Sequence, residues 1–444
     1  MPLTGSRNME KLSDRKIEKH SSVLFDSIGC KLNKYEIEVM RSQAEELGLV
    51  PLFQQPGRDP KANVLVINTC SVTNQASKDS RRKIRSFRKH NPDSYLVVTG
   101  CYSQTDLEDV KKLGVDLILS NHEKESFFEK IQADIKNYEG KSLPDNGIIK
   151  QVEFQSRPFL KIQDGCDAFC SYCIIPRARG RSRSTRPTQV LEQIRQLAPR
   201  YPEIVLSGVN LGQYGLDLGT NLLELLKEIC RIEELRRIRI SSLEPQDLKP
   251  NILDFLVKNP KICNHLHLPL QGAHDQILPA MRRHYSLKEY QLLLESIKSQ
   301  DPSFCLGTDV MVGFPGETDS IFEESIRTLQ NFPLDYFHVF SFSPREKTVA
   351  AKLKDQIPSP VKKQRNKVLT ELSSRKRNEF LQSQINCVRQ AAMERRSRVS
   401  GFISGMTDNY IPVIVPGDEE KLGLQDLRVK ISEISDSKVL AVAV

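Results

Sequence analysis

Three apolar runs, SVLFDSIGC, ANVLVINTC and SYLVVTGC, each place a cysteine at or just beyond their last strand residue: Cys30, Cys70 and Cys101. Helical stretches are expected after them, over Asn33 to Leu47, Asp79 to His90 and Gln104 to Lys112, and a further strand, VDLILS, over 115–120. Near-continuous apolar strands alternating with helices specify an α/β fold, a parallel doubly wound sheet covered on both faces. In such a sheet the carboxyl ends of the strands share one edge, and ligands bind in the crevice there. Cysteines at three carboxyl ends therefore converge although they are far apart in sequence. One buried thiol alone would be ordinary core packing; three at equivalent topological positions point to a cluster with three protein ligands and one open position.

A second set is contiguous. Cys166, Cys170 and Cys173 lie in LKIQDGCDAFCSYCIIPRARG, and the next cysteine is Cys230. An iron–sulfur cube held by protein alone takes four thiolates, so three leave one iron open. Structural zinc also wants four ligands, and His265 and His267 lie far along the chain in an apolar strand. Residues 1–20, polar and charged, read as a disordered lead-in without a signal-peptide pattern. No apolar run approaches the roughly twenty residues that span a bilayer. The expectation is a cytoplasmic protein with no membrane association, whose ten cysteines serve metal and catalysis rather than disulfides. Cys230, Cys263, Cys305 and Cys387 lack the positional logic of the others and read as core or surface thiols.

The CxxxCxxC spacing, with Phe169 and Tyr172 beside the ligands, is identified as the signature of the radical S-adenosylmethionine enzymes. The resemblance implies that the open iron of a [4Fe–4S] cluster binds the amino and carboxylate groups of S-adenosylmethionine. One electron then cleaves that cofactor to a 5′-deoxyadenosyl radical able to abstract hydrogen from an unactivated C–H bond, while the protein binds and orients. Six strands, FLKIQDG (159–165), EIVLSGVN (203–210), RIRISSLEP (237–245), HLHLPLQG (265–272), FCLGTDVMVGFPGE (304–317) and YFHVFSFSPR (336–345), suit the family's partial (βα)6 barrel. Its site would lie at the strand carboxyl ends. By resemblance, Gly208 and Asn210 in LSGVNLGQYG approach the methionyl amino group. Ser241, Ser242 and Glu244 in ISSLEP lie near the ribose. Asp309, Gly313, Pro315, Gly316 and Glu317 in GTDVMVGFPGET form a family hallmark on the cofactor side. His267 reads equally as a satisfied core histidine or a site residue.

The motifs GCKLNKYEIE, NTCSVTNQASKDSRRKIR and VTGCYSQ resemble the N-terminal domain of the methylthiotransferases, radical enzymes that insert sulfur and then methylate it. The resemblance implies a second [4Fe–4S] cluster on Cys30, Cys70 and Cys101 that carries or activates the sulfur, with S-adenosylmethionine serving both as methyl donor and as radical source. The C-terminal strands RVSGFISG, NYIPVIV, LRVKISEI and VLAVAV, with SGMTDNYIPVIV, resemble a TRAM domain, a small β-barrel appended to tRNA-modifying enzymes. Such barrels bind looped RNA through basic grooves and aromatics; Phe402 and Tyr410 are candidates for stacking, with core packing the other reading. The expected order is an N-terminal domain over 21–135, a linker over 136–155, the radical domain over 156–385 and the TRAM domain over 386–444.

The net charge of +9 is unevenly spread: 361–400 holds eleven Lys or Arg against three Glu. Such runs often end as solvated helix faces, but this one precedes the small barrel and points to nucleic acid. In RARGRSRS, Arg177, Arg179, Arg181 and Arg183 are candidates for a substrate or RNA-backbone role, since arginine pairs bidentately with phosphate and carboxylate. GCKxNxYE resembles the branch acting on carbon 2 of N6-threonylcarbamoyladenosine in the tRNA anticodon stem-loop, rather than the GCQMN or GCPKN branches for isopentenyladenosine and a ribosomal protein. A sulfur source and an electron donor are implied partners. The chain departs from the family pattern after Gln271, at Gly272-Ala273-His274, and at Lys347. A non-catalytic iron–sulfur RNA-binding redox sensor is the alternative, and it would have no need of the cofactor-binding motifs.

Overall fold

The computed structural model describes residues 17–18, 20–52, 61–124, 127–134, 152, 156–394, 400–418, 424–435 and 438–444. It divides into two compact units, 1–150 with 174–181, and 151–173 with 182–444. Most of the lead-in, most of the expected linker over 136–155, and Arg395, Arg396 and Arg398 of the basic run lie outside the described residues.

The first unit holds β1 (Ser22–Ser27), α1 (Lys31–Glu46), β2 (Val50–Leu52), β3 (Val64–Thr69), α2 (Asn74–His90), β4 (Tyr95–Gly100), α3 (Cys101–Thr105), α4 (Leu107–Lys111), β5 (Leu117–Ile118) and α5 (Phe127–Asp134). The strands pair in parallel in the order β2-β1-β3-β4-β5. Strand residues alternate between two cores, as the period of two requires. Val64, Val66 and Val97 meet Ile37, Met40 and Ala44 of α1 on one face. Leu65, Ile67, Leu96 and Val98 meet Ile84 and Phe87 of α2 on the other. The doubly wound sheet is thus observed. The lead-in boundary needs correcting: Ile17 is buried in the α1-side core, because its apolar side chain completes that face.

The second unit continues with β6 (Phe159–Lys161) and β7 (Gln163–Asp164). The short α6 (Ile175–Arg179) then belongs to the first unit. The second unit resumes with β8 (Arg183–Ser184), α7 (Pro187–Leu197), β9 (Glu203–Ser207), α8 (Leu222–Cys230), β10 (Arg237–Ile240), α9 (Pro250–Lys258), β11 (His265–His267), α10 (Ile277–Ala280), α11 (Leu287–Gln300), β12 (Cys305–Val312), α12 (Asp319–Asn331), β13 (Tyr336–Ser341) and α13 (Ser359–Ser383). Two parallel sheets, β10-β9-β6 and β11-β12-β13, are stitched by isolated bridges Ile238 to Ile262 and Ser242 to His267. The result is six parallel strands in chain order, the partial barrel expected. Helices start where capping side chains allow. Asn221 accepts from the Glu224 amide, and Ser286 with Glu289 forms a capping box, each satisfying amides that the helix start leaves orphaned.

At the amino ends of these strands a buried Glu203 receives Arg237 and Arg239, and Arg239 also donates to the Thr407 carbonyl (2.8 Å). Two guanidiniums hold the Glu203 carboxyl well below the usual range despite its burial. The Thr407 carbonyl belongs to a closed barrel, β14-β15-β16-β18-β17, formed by β14 (Val388–Met393), β15 (Phe402–Thr407), β16 (Pro412–Pro416), β17 (Asp426–Ser435) and β18 (Lys438–Ala443). Closure removes the exposed edges of this five-stranded piece. Cys263 and Cys305 are fully buried core thiols, as expected. Among the described residues, no helix is long and apolar enough to cross a membrane.

Candidate functional site

In the first unit, strand order reverses between β1 and β3, and Cys30 and Cys70 follow those two strands. That reversal is where open α/β sheets form their ligand crevice. Cys101 opens α3 directly after β4, one strand along. The close approach is written into two glycines. Gly29 has φ 106°, and a Cβ there would lie 2.8 Å from the Cys70 Cβ and 2.9 Å from its Sγ. Gly100 has φ 105°, and a Cβ there would collide with the Thr69 backbone. Both need the left-handed conformation that glycine alone adopts cheaply.

The three thiols feel one another. Burial pushes the Cys70 thiol up to about 11, with Cys101 and Cys30 adding and Arg179 opposing. Burial also raises Cys101, against Arg179 and Lys124. Cys30 is exposed while Cys70 and Cys101 are buried, so the group is reached from solvent at one corner. Beside it lies a buried ionic group. Glu36 accepts from Lys124 Nζ (2.5 Å) and Arg179 Nη1 (2.8 Å). Arg179 also donates to Asn33 Oδ1 (2.8 Å), and Lys124 to Asn68 Oδ1 (3.1 Å). The expectation for Arg179 is therefore corrected: its side chain is 1% exposed and pairs with Glu36, so it does not meet RNA.

The contiguous cysteines sit in a loop pinned at Ser171, whose amide donates to the Met281 carbonyl (3.1 Å) and whose hydroxyl donates to the Ala280 carbonyl (2.7 Å). Burial raises both Cys166 and Cys170. The backbone amide of Asn210, after β9, donates to Gln163 Oε1 (2.8 Å), and its side-chain Nδ2 turns to the Cys166 sulfur (4.0 Å). Gly208 packs against that same Gln163 side chain. After β10, Ser241 is buried, Ser242 is exposed, and Glu244 pairs with Arg283. His267 Nε2 reaches Asp309 Oδ1 at 3.1 Å, and its Nδ1 lies 3.3 Å from the Tyr336 hydroxyl, so it faces both the site and the core.

Three buried oxygens here have no hydrogen-bond partner: Asn210 Oδ1, Ser241 Oγ and Asp247 Oδ2. Burial, then Glu244, pushes the Asp247 carboxyl up to about 6. Buried polar atoms are almost always paired, so three orphans at neighbouring strand ends, beside a loop thiol, suit a polar ligand carrying ammonium and hydroxyl groups. The donor sets also suit a cube: six thiols in two sets of three, none in a disulfide. Among the described residues no three His, Cys, Asp or Glu groups form a single-ion site; a cube does not require one, since each thiolate grips its own iron.

Other expectations change. The Gly313 amide donates to Glu317 (2.8 Å), and buried Glu317 pairs with Arg365 of α13 (2.7 Å). GFPGET is thus a braced turn behind the site, and Gly313 does not present its amide to a cofactor. His274 is tied to Glu324 (2.9 Å) and Ala273 is buried, while Lys347 is exposed. Tyr410 is committed to packing: its ring stacks on His265 (4.2 Å) under Arg239 (5.3 Å). Phe402 is half-buried, next to the core residue Ile403. Within the basic run, Lys362, Lys376 and Arg377 donate to the carbonyls of Phe342, Phe332 and Tyr410. Lys363, Lys367 and Arg375 remain exposed. Arg177 and Arg181 are exposed, and Arg183 pairs with Asp164 (3.2 Å).

A basic face went unnoticed in the sequence. Lys78, Arg82, Arg85 and Lys89 of α2 are all exposed, at spacings of four, three and four that align them on one side of a helix. The helical period of SRRKIRSFRKH was its signal.

Residues 160–329 match the family described as Radical SAM superfamily, and 22–120 match Uncharacterized protein family UPF0004. The chain is 34% identical to the threonylcarbamoyladenosine tRNA methylthiotransferase MtaB of Aquifex aeolicus, covering 90% of this chain and 97% of that one. It is 35% identical to the protein of the same name from Bacillus subtilis, covering 93% and 94%. A tRNA-2-methylthio-N(6)-dimethylallyladenosine synthase of Carboxydothermus hydrogenoformans is 32% identical, covering 91% and 95%. Among solved structures, the radical S-adenosylmethionine methyltransferase TsrM of Kitasatospora setae shares the fold at 14% identity, with a TM-score of 0.58 over 76% of this chain and 74% of that one. With a three-thiol loop at the mouth of a six-stranded partial barrel and relatives aligned over nine-tenths of its length, the chain belongs to the radical S-adenosylmethionine methylthiotransferase family.

Proposed function

We propose that this protein adds a methylthio group to carbon 2 of N6-threonylcarbamoyladenosine beside the tRNA anticodon. The observation that carries the reading is the pairing of two separate three-cysteine sets, one in a loop and one at a sheet edge, in a chain whose relatives in two organisms bear the threonylcarbamoyladenosine name. Cys166, Cys170 and Cys173 hold a [4Fe–4S] cluster used with S-adenosylmethionine. Bound there, the pair supplies one-electron chemistry able to open an unactivated C–H bond. Asn210 and Ser241 offer their unpaired oxygens to the cofactor's ammonium and ribose, and Arg283 keeps Glu244 oriented. Cys30, Cys70 and Cys101 hold a second cluster in this reading, the site of sulfur delivery; the sulfur source and the electron donor are separate partners, and the setting is the cytoplasm. The exposed stripe on α2, with Arg177 and Arg181, contacts tRNA phosphates.

A strain deleted for this gene, with no paralogue, should lose the 2-methylthio group from threonylcarbamoyladenosine in tRNA mass spectra. Retention of that group rejects the reading, and loss from isopentenyladenosine instead would move the protein to the other tRNA branch. Replacing Lys78, Arg85 and Lys89 by Gln should weaken tRNA binding and flatten its salt dependence, by roughly 0.9 in log–log slope for each duplex phosphate no longer neutralised. An unchanged slope removes α2 from the interface.

A further inference from the structure

We propose that Phe340, on the inner face of β13, is the platform on which the target adenine of the tRNA stacks for reaction. The inference deepens the methylthiotransferase reading above and rests on it. Chemistry at carbon 2 requires the base to leave the anticodon stack, and enzymes that extrude a base hold it by stacking as well as by hydrogen bonds.

Strand register sorts the side chains of β11, β12 and β13. Gly307 stands between His267 and Tyr336, Asp309 is opposite His338, and Met311 is opposite Phe340. The alternate residues Leu306, Thr308, Val310 and Phe337 are buried on the other face. The inner row is filled at its amino end, where Tyr410 stacks on His265 (4.2 Å) and the Tyr336 hydroxyl lies 2.8 Å from His265 Nε2. A Cβ at Gly307 would collide with the Tyr336 ring, so the glycine makes room for that ring. Toward the carboxyl end the same row opens: Asp309 and Met311 are half-buried, His338 is exposed and Phe340 is 48% exposed. A lone apolar side chain on a convex surface would need no explanation. This one lies inside a barrel sheet, at the end where barrel sites are built.

That end adjoins the cysteine loop. Met311 packs in one cluster with Tyr172, which lies between Cys170 and Cys173. The Ala350 amide, beyond β13, donates to the Ser171 carbonyl (2.8 Å). The strand itself is held by α13: Ser373 Oγ accepts from the Phe337 amide (2.8 Å) and donates to its carbonyl (2.7 Å), and Asn366 donates to the Val339 carbonyl (3.2 Å). The Phe340 ring is therefore carried on a fixed strand, and an aromatic ring on a sheet face stacks a base through its π surface. S-adenosylmethionine also carries an adenine. The unpaired oxygens suited to that cofactor, on Asn210 and Ser241, follow β9 and β10 in the other sheet. Phe340 is on the last strand, so the geometry gives its ring to the tRNA base.

The test measures methylthiolation kinetics of the cluster-loaded full chain on tRNA that carries threonylcarbamoyladenosine. Phe340→Ala should raise KM for the tRNA about tenfold or more, the loss of one base–aromatic stack, and leave KM for S-adenosylmethionine unchanged. Phe340→Tyr should restore the parent value, whereas Phe340→Leu, with apolar bulk but no π face, should not. A Leu variant as good as the Tyr variant assigns Phe340 to packing and overturns the inference, as does an unchanged KM for the tRNA in Phe340→Ala. A rise in KM for S-adenosylmethionine alone gives the ring to the cofactor's adenine and also overturns it. If Phe340→Ala loses its iron, the Tyr and Leu variants decide by the same comparison. Failure of the underlying reading looks different, since the unmodified protein itself would then put no methylthio group on that tRNA.

Discussion

Cys166, Cys170 and Cys173 come from one short loop, whereas Cys30, Cys70 and Cys101 come from three strand ends in a different unit. The loop set needs local geometry and one anchor: a turn in which the Cys173 amide donates to Cys170, and Ser171 tied to residues 280 and 281. The strand set needs a whole sheet in register, with Gly29 and Gly100 in the left-handed region to let the backbones meet. The difference teaches that the loop cysteines can be found by spacing alone, while the strand cysteines depend on fold integrity. It also predicts that the two sets fail differently.

The largest effects come from the cysteines. Alanine at any of 166, 170 or 173 should abolish 5′-deoxyadenosine formation. Alanine at any of 30, 70 or 101 should spare that reaction and stop sulfur insertion. Normal methylthiolated product from a strand-set variant would break the comparison. Next comes Gly100→Ala, which forces a side chain into the Thr69 backbone at φ 105°. It should cost about 3 kcal/mol from strain and overpacking, seen as a lower urea midpoint. It should also remove the strand-borne iron and leave the loop iron. Equal loss from both sites would show that they are not independently built.

The smallest effect separates the second unit from the first. Asp247 has its carboxyl raised to about 6 by burial. The folded state therefore holds the proton more tightly than the unfolded chain, and stability is lost as pH rises from about 4 to 6. Asp247→Asn should stabilise the cofactor-free protein at pH 7 by about 1 to 2 kcal/mol, a figure reduced for partial exposure. The gain should vanish below pH 4, which thermal melts across that range can check. A gain that persists at pH 3.5 would assign the effect to packing.

Helix boundaries show where reading by pattern fell short. The helix expected to start at Asp79 begins at Asn74, because the Thr73 side chain accepts the Ala76 amide and caps it five residues earlier. The single helix expected over Gln104 to Lys112 is two, beginning at Cys101 and broken at Asp106. Charge misled more than apolar pattern did. Arg179 and Arg365 look like surface cations in sequence, yet each is buried against a glutamate, Glu36 and Glu317, from a distant segment. Tyr410 read in sequence as either a base-stacking or a packing residue, and its contacts with His265 and Arg239 make it a packing residue.

Residue order alone determined the parallel sheet and the partial barrel and singled out two sets of three cysteines, one by its spacing and one by its place at strand ends, because apolar periodicity and cysteine position are properties of the chain itself. Only the tertiary structure decided which cations are spent inside the protein and which oxygens stay unpaired. Ion pairs such as Glu36 with Arg179, and orphans such as Asn210 Oδ1, depend on what lies across space rather than along the chain.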